Sequence, residues 1–235
     1  MSARPHCVQR RSLVSATNYR KCLSDSTAFP APLLDALSAY TYLLKTYDSS
    51  AITISGDSAG AHLCLFLSRY LLEIDLPQPA SMALLSPWSD FVPRYASYTT
   101  NGWWDFLHPR RLEKAIRSAT RWYTEPFKSS VWFSPAKAAA GDWDYLKDAG
   151  VQVHLTLGTR ELFLDEIRAL YDTMVRDGVD VDLHEVSHPA CRVCKLSQRI
   201  KAHGQHVDGV HAEMVQDSQA RIGLVKALKA SIQGI

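Results

Sequence analysis

The chain has 235 residues, 46% hydrophobic, 21% charged and 10% aromatic, enough apolar side chain for one sizeable core and too much for intrinsic disorder. Its 26 Lys and Arg stand against 24 Asp and Glu, a formal charge of +2, which argues against a basic field built for nucleic acid and against an acidic solvating chain. No apolar run reaches the roughly 18 residues of a membrane span, Met1 to Arg11 lack the apolar stretch of a signal peptide, and Cys7, Cys22, Cys64, Cys191 and Cys194 are too scattered for a disulfide scaffold.

In chain order, Ser12 to Tyr19 reads as a short strand, and Leu33, Leu37, Tyr40 and Leu44 recur at helical spacing after Pro30 and Pro32. Ala51 to Ser55 is short and β-branched, and a glycine-bearing turn then leads into the apolar run His62 to Leu72. Ser81 to Ser86 reads as a buried strand closed by Pro87. Further on, Val151, Val153, Leu155 and Leu157 alternate with other residues, while Ile167, Leu170, Tyr171, Met174 and Val175 trace a helical stripe. Val179, Val181 and Leu183 alternate again, and Ile222, Val225, Leu228 and Ile232 mark a terminal helix. Repeated strand-then-helix units predict an α/β domain over 1–235, a mostly parallel sheet with helices on both faces.

Two stretches break this rhythm. All six tryptophans (Trp88, Trp103, Trp104, Trp122, Trp132, Trp143) fall between the Ser86 and Val151 strands, with seven further Phe and Tyr residues among them. Residues 89–145 are expected to form a helical lid, its aromatics making a small core of their own, lining an apolar pocket, or both. The second stretch, 187–207, is rich in His, Cys, Arg and Lys without periodicity and reads as an irregular insertion.

Gly56-Asp57-Ser58-Ala59-Gly60 fits G-x-S-x-G in the setting that pattern requires, after a β-branched strand and before a helix. A strand turning abruptly into a helix strains its middle residue and lifts the hydroxyl above the sheet edge. Flanking glycines are expected because side chains there would collide within the turn. Ser58 is thus the candidate nucleophile, with the Ala59 N–H at the helix start as oxyanion donor. A phosphate-cradling loop would want more glycines and a Lys.

Tyr19-Arg20, the run Phe29 to Leu37, Gly56-Asp57-Ser58-Ala59-Gly60 and Ser86-Pro87-Trp88 follow in an order that resembles the hormone-sensitive-lipase branch of the α/β-hydrolases, the fold-3 carboxylesterases including fungal steryl-acetyl-hydrolase-like members. The resemblance runs from about Tyr19 onward and is weak across 187–207. It implies a catalytic acid in Gly158-Thr159-Arg160-Glu161-Leu162-Phe163-Leu164-Asp165-Glu166. There Glu161 takes the position usually held by Asp, and Asp165 is the fallback that more naturally caps or faces its helix. Of nine histidines, His211, in Asp208-Gly209-Val210-His211 before the last helix, matches the family's base; His62 reads as a packing residue. The pocket is assigned to Asp57, Trp88, Trp103 and Trp104.

The same resemblance implies a glycine-rich oxyanion loop upstream of Tyr19-Arg20, yet no glycine precedes Gly56. An N-terminally truncated hydrolase is therefore expected, weak or inactive, with an exposed sheet edge through which it could self-associate. Cys191-x-x-Cys194 with His203-x-x-His206 carries zinc-type ligands, but the gap between the pairs is shorter than common finger spacings. The expectation is no metal and no cofactor. The partner expected is a small apolar ester, with no nucleic acid and no membrane span, and nothing marks a compartment other than the cytoplasm by default. The alternatives are a non-catalytic pseudo-hydrolase that binds through the same pocket or edge, and a peptidase on the same fold.

Overall fold

A computed structural model describes residues 13–105 and 107–186. Four parallel strands stand side by side in chain order: β1 (Thr53–Asp57), β2 (Ser81–Leu85), β3 (Gln152–Gly158) and β4 (Val181–Val186). Their register aligns Ile54 with Met82, Met82 with Val153, and Val153 with Val181, so apolar side chains form rows across one face. Parallel neighbours cannot be joined by a hairpin. Each connection is therefore a crossover, and two of the longer helices are the crossovers α2 (Ala59–Glu73) and α7 (Leu164–Arg176).

Those helices bury their stripes on the aligned rows. Ala61, Cys64 and Leu65 of α2, Leu146 of α6 (Asp144–Asp148), and Leu170 and Met174 of α7 share one core with Met82, Leu84, Val153 and Leu155. The alternate positions Ser81, Ala83 and His154 are buried as well, as a parallel sheet requires. That double burial is why 81–86 reads as a continuous run and not as an alternation.

A second core lies on the outer side of α2. There α1 (Ala31–Leu43), with Pro32 in its first turn, sets Leu33 and Tyr40 against Leu63, Phe66 and Leu67. Arg20 clasps the start of α1, its guanidinium bonding both oxygens of Asp35 at 2.9 Å while its backbone N–H donates to Asp35 at 2.8 Å. The Tyr19-Arg20 motif is thus tied to the helix that follows it.

Residues 13–20 form no strand. Leu13 and Val14 are 73% and 88% exposed, and no strand among the described residues pairs with them. Between β2 and β3 the chain makes α3 (Ser97–Thr100), α4 (Pro109–Ala119) and α5 (Glu125–Lys128) before α6. Their aromatics do not build a separate core. Phe133 packs on Phe29, Phe66 and Tyr123 with ring centroids 5.2, 5.3 and 5.2 Å apart, and Phe91 joins the same cluster. This stretch is therefore seated on the α1–α2 layer. Residues 187–207 and the terminal apolar helix at 222–232 lie outside the described residues.

Candidate active site

The site is built at the carboxyl ends of β1, β2 and β3. At the end of β1 the chain reverses into α2 through Ser58, whose backbone sits at φ 53°, ψ −113°. Side chains rarely adopt that region, which costs on the order of 1–3 kcal/mol and persists only where the surroundings enforce it. Two backbone bonds do so: Ser58 N–H donates to Leu85 O at 2.9 Å, and Trp88 N–H donates to Ser58 O at 3.2 Å. The turn is so tight that a Cβ on Gly56 would lie 2.3 Å from the carbonyl carbon of Gly60. Gly60 itself has room, since a Cβ there would meet only the Tyr19 hydroxyl at 3.9 Å. Of the two flanking glycines, steric necessity falls on Gly56 alone. Ser58 is half-buried and Ala59 exposed at the head of α2, where the helix dipole favours negative charge.

Tyr19 closes the elbow from outside. Burial, followed by the neighbouring Cys64, Cys22 and Asp57, raises its phenol above the ordinary value.

One strand along, Ser86 follows β2 with φ 42° and donates its hydroxyl to Glu161 Oε1 at 2.9 Å, while its N–H bonds Thr156 O at 2.9 Å. Glu161 is buried just beyond β3. Ser58, Ser86 and Glu161 therefore hang from three successive strands at one edge of the sheet. Glu161 is also held from its other side. Asn101 Nδ2 donates to Glu161 O at 2.8 Å, and Leu162 N–H donates to Asp105 Oδ2 at 2.7 Å. Asp165, the alternative acid, accepts from Ser97 N–H at 2.8 Å. It lies in the first turn of α7 but ties that helix to α3 rather than capping its own end.

His62 is wholly buried on α2, stacked on Phe91 at 4.5 Å and near-parallel to Phe133 at 6.1 Å. Its Nδ1 lies 3.0 Å from Trp88 O, and because a carbonyl only accepts, Nδ1 carries the proton. Burial, partly offset by that bond, lowers its pKa to about 4. It is a neutral brace between the elbow helix and the loop after β2. His108 accepts from Arg110 N–H at 3.2 Å at the start of α4, and His184 is exposed on β4. His211, Cys191, Cys194, His203 and His206 lie outside the described residues. Among the described residues no group of His, Cys, Asp or Glu could hold a metal ion, and no helix is long and apolar enough to cross a membrane.

The tryptophans assigned to the pocket differ in exposure. Trp88 is buried, its ring 4.5 Å from Phe91 and 5.9 Å from Phe163. Trp103 is 95% exposed, and Trp104, 58% exposed, carries the Arg160 guanidinium 4.3 Å above its ring. Both meet solvent because this stretch turns its polar side chains, Asn101 and Asp105, inward to the acid loop. Asp57 is half-buried at the end of β1.

Sequence reasoning missed Asn101 and Asp105, for which no local signal exists. It also missed Glu166. This carboxyl is fully buried, with Oε1 2.8 Å from Ser89 N and Oε2 2.8 Å from the Tyr98 hydroxyl, and burial raises its pKa well above the ordinary value. An acid repeated directly after Asp165, in a helix whose other face is apolar, was the available hint. Ser86 stood in a quoted motif without its role.

A strained hydroxyl at a helix start, on the same sheet edge as a buried, serine-held carboxylate, is suited to nucleophilic acyl transfer once a general base is supplied. The comparisons agree. The family profile described as alpha/beta hydrolase fold matches residues 3–189. An acetyl-hydrolase of Streptomyces hygroscopicus is 32% identical over 175 residues, covering 73% of this chain and 54% of that protein. The chain thus spans about half the length of that curated relative. Among solved structures, an esterase from the bacterial hormone-sensitive lipase family superposes with a TM-score of 0.65 at 30% identity, covering 88% of this chain and 62% of the other. The hormone-sensitive-lipase homologue EstE7 from a metagenome library gives 0.61 at 29%, covering 71% and 54%.

Proposed function

Because the chain belongs to the alpha/beta hydrolase fold family, in its hormone-sensitive-lipase branch, we propose that it carries the machinery of a serine carboxylester hydrolase with Ser58, Glu161 and His211 as its triad. The observation that supports this most is the Ser58 backbone at φ 53°, strain kept at the residue whose hydroxyl the tight strand-to-helix turn presents.

Ser58 Oγ attacks the ester carbonyl while His211 takes its proton, and the oxyanion turns toward the Ala59 N–H. The C–O bond to the alcohol then breaks, with His211 returning the proton to the leaving oxygen. Water, deprotonated by the same imidazole, releases the acid and restores Ser58. Glu161 orients the imidazole and stabilises its charged form. A Glu reaches one methylene further than an Asp, and the hydroxyl of Ser86 takes up one oxygen of that longer arm. The role of His211 rests on the resemblance and on its place before the last apolar pattern.

The substrate class is a small apolar ester, a short acyl group being suggested by the relative named acetyl-hydrolase. Residues 89–145 serve as the lid, with Asp57 and the face around Trp88, Trp103 and Trp104 meeting the substrate. Turnover by this 235-residue chain is slow, because no glycine precedes Gly56 to build a second set of oxyanion donors, and each missing donor costs about 10²–10³ in rate.

Hydrolysis of a short-chain nitrophenyl ester by the purified chain and by Ser58→Ala tests the reading. A slow turnover that the substitution abolishes is expected. Equal rates for the two proteins would assign the chain to the non-catalytic alternative, a binding protein on the same scaffold.

A further inference from the structure

The acid corner is assembled from two parts of the chain that lie about sixty positions apart. Ser97 Oγ donates to Leu162 O at 2.7 Å, and Ser97 N–H to Asp165 at 2.8 Å. Asn101 Nδ2 donates to Glu161 O at 2.8 Å and reaches Thr159 O at 3.5 Å. Asp105 accepts from Leu162 N–H at 2.7 Å through Oδ2, and from Leu107 N–H at 2.9 Å through Oδ1. The Tyr98 hydroxyl meets Glu166 at 2.8 Å, and Arg160 lies over Trp104. Every residue from Thr159 to Glu166 except Leu164 is thus met by a side chain or backbone group of 97–105, Phe163 through the Tyr98 ring at 6.3 Å. Loops hold their own shape poorly, and this one carries the proposed acid in a buried run of turns between β3 and α7.

We propose that Asn101 and Asp105 are positioning residues for Glu161. The backbone on either side of that residue is fixed by an amide donor from Asn101 and a carboxylate acceptor from Asp105. With both bonds made, the Glu161 side chain leaves the backbone in one direction and reaches Ser86. With either lost, the loop can slide and the carboxylate withdraws from the imidazole it orients. The same contacts join the proposed lid to the acid, so a lid displaced from the loop would release the acid with it. This inference rests on the hydrolase reading above.

The test is the rate at which a fluorophosphonate labels Ser58 in the full chain, which needs an activated hydroxyl and no turnover. The unmodified chain, Asn101→Ala, Glu161→Gln and the double variant are compared at one pH, with Asp105→Asn as a second probe in case Asn101→Ala fails to fold. Asn101→Ala is expected to slow labelling roughly ten- to hundredfold, the cost of a misplacement of about 1 Å, and to add nothing in the Glu161→Gln background. Asp105→Asn, which keeps one of two acceptors, should fall between the unmodified chain and Asn101→Ala. A merely structural role would slow both backgrounds by the same factor, and that result overturns the proposal, as does an unchanged rate in folded Asn101→Ala or in Asp105→Asn. A chain that is not labelled at Ser58, or is labelled equally well as Glu161→Gln, would instead overturn the hydrolase reading, and this inference with it.

Discussion

The elbow at Ser58 and the corner at Glu161 are built in opposite ways. The elbow is local: Gly56, Ser58 and Gly60 lie within five positions, and only two backbone bonds to the β2 edge complete it. The acid corner has a short motif of its own, yet its shape is set by Ser86 from one side and by 97–105 from the other. A local device fails when its own residues change, whereas an assembled one fails when distant residues do. Substitutions can separate the two.

The largest expected effect is at the elbow. Gly56→Ala would drive a Cβ to 2.3 Å from the Gly60 backbone, where no side chain can yield, so the cost should exceed the ~1–3 kcal/mol of ordinary overpacking. Urea denaturation should find the variant largely unfolded or far less stable; a midpoint near that of the unmodified chain would mean that the turn is looser than described.

Next comes the brace behind the elbow. Buried His62 stays neutral when folded, with a pKa of about 4 against 6.5 when unfolded. Below about pH 6.5 the unfolded chain takes up a proton that the folded chain refuses. The stability contributed is complete above the unfolded value and is lost as pH falls toward 4, on the order of 3 kcal/mol at most. His62→Gln should flatten the pH dependence of stability in that window, and an unaltered slope would reassign the loss to other groups.

At the acid corner, Ser86→Ala removes the hydroxyl bonded to a buried carboxylate. A loss of about 1–3 kcal/mol by denaturation is expected, with slower fluorophosphonate labelling. Stability lost with labelling intact would make Ser86 a support of the fold alone. The smallest effect returns to the elbow. Gly60→Ala has space for its methyl and sits in the first turn of α2, so the melting temperature should hold or rise, by at most ~1 kcal/mol in stability. A collapse like that of Gly56→Ala would show the two glycines to be equivalent after all.

This contrast also explains what could be read from the chain. β1, β2, α2, β3, α7 and the G-x-S-x-G elbow were legible because periodicity and turn chemistry are local. The strand expected at 12–19 fails because apolar residues such as Leu13 and Val14 say nothing about whether a neighbouring strand lies beside them to pair. The aromatic stretch was legible as apolar, but its partners Phe29 and Phe66 come from the turn ahead of α1 and from α2, which no window of sequence contains. Glu161 could be picked by its place in a motif, whereas Asn101 and Asp105 are ordinary polar residues until the fold carries them to its backbone. Trp103 and Trp104 were assigned to a pocket by composition, and their exposure to solvent follows from the inward turn of those polar neighbours, which composition does not reveal.

In the proposed triad, residue 58 is an activated hydroxyl served by the imidazole of residue 211. Peptide mapping after brief exposure of the native chain and of His211→Ala to a fluorophosphonate examines it most directly. The adduct is expected on Ser58 in the native chain and is expected to be lost, or nearly lost, in His211→Ala. An adduct on another residue, or one of equal extent in both proteins, would contradict it.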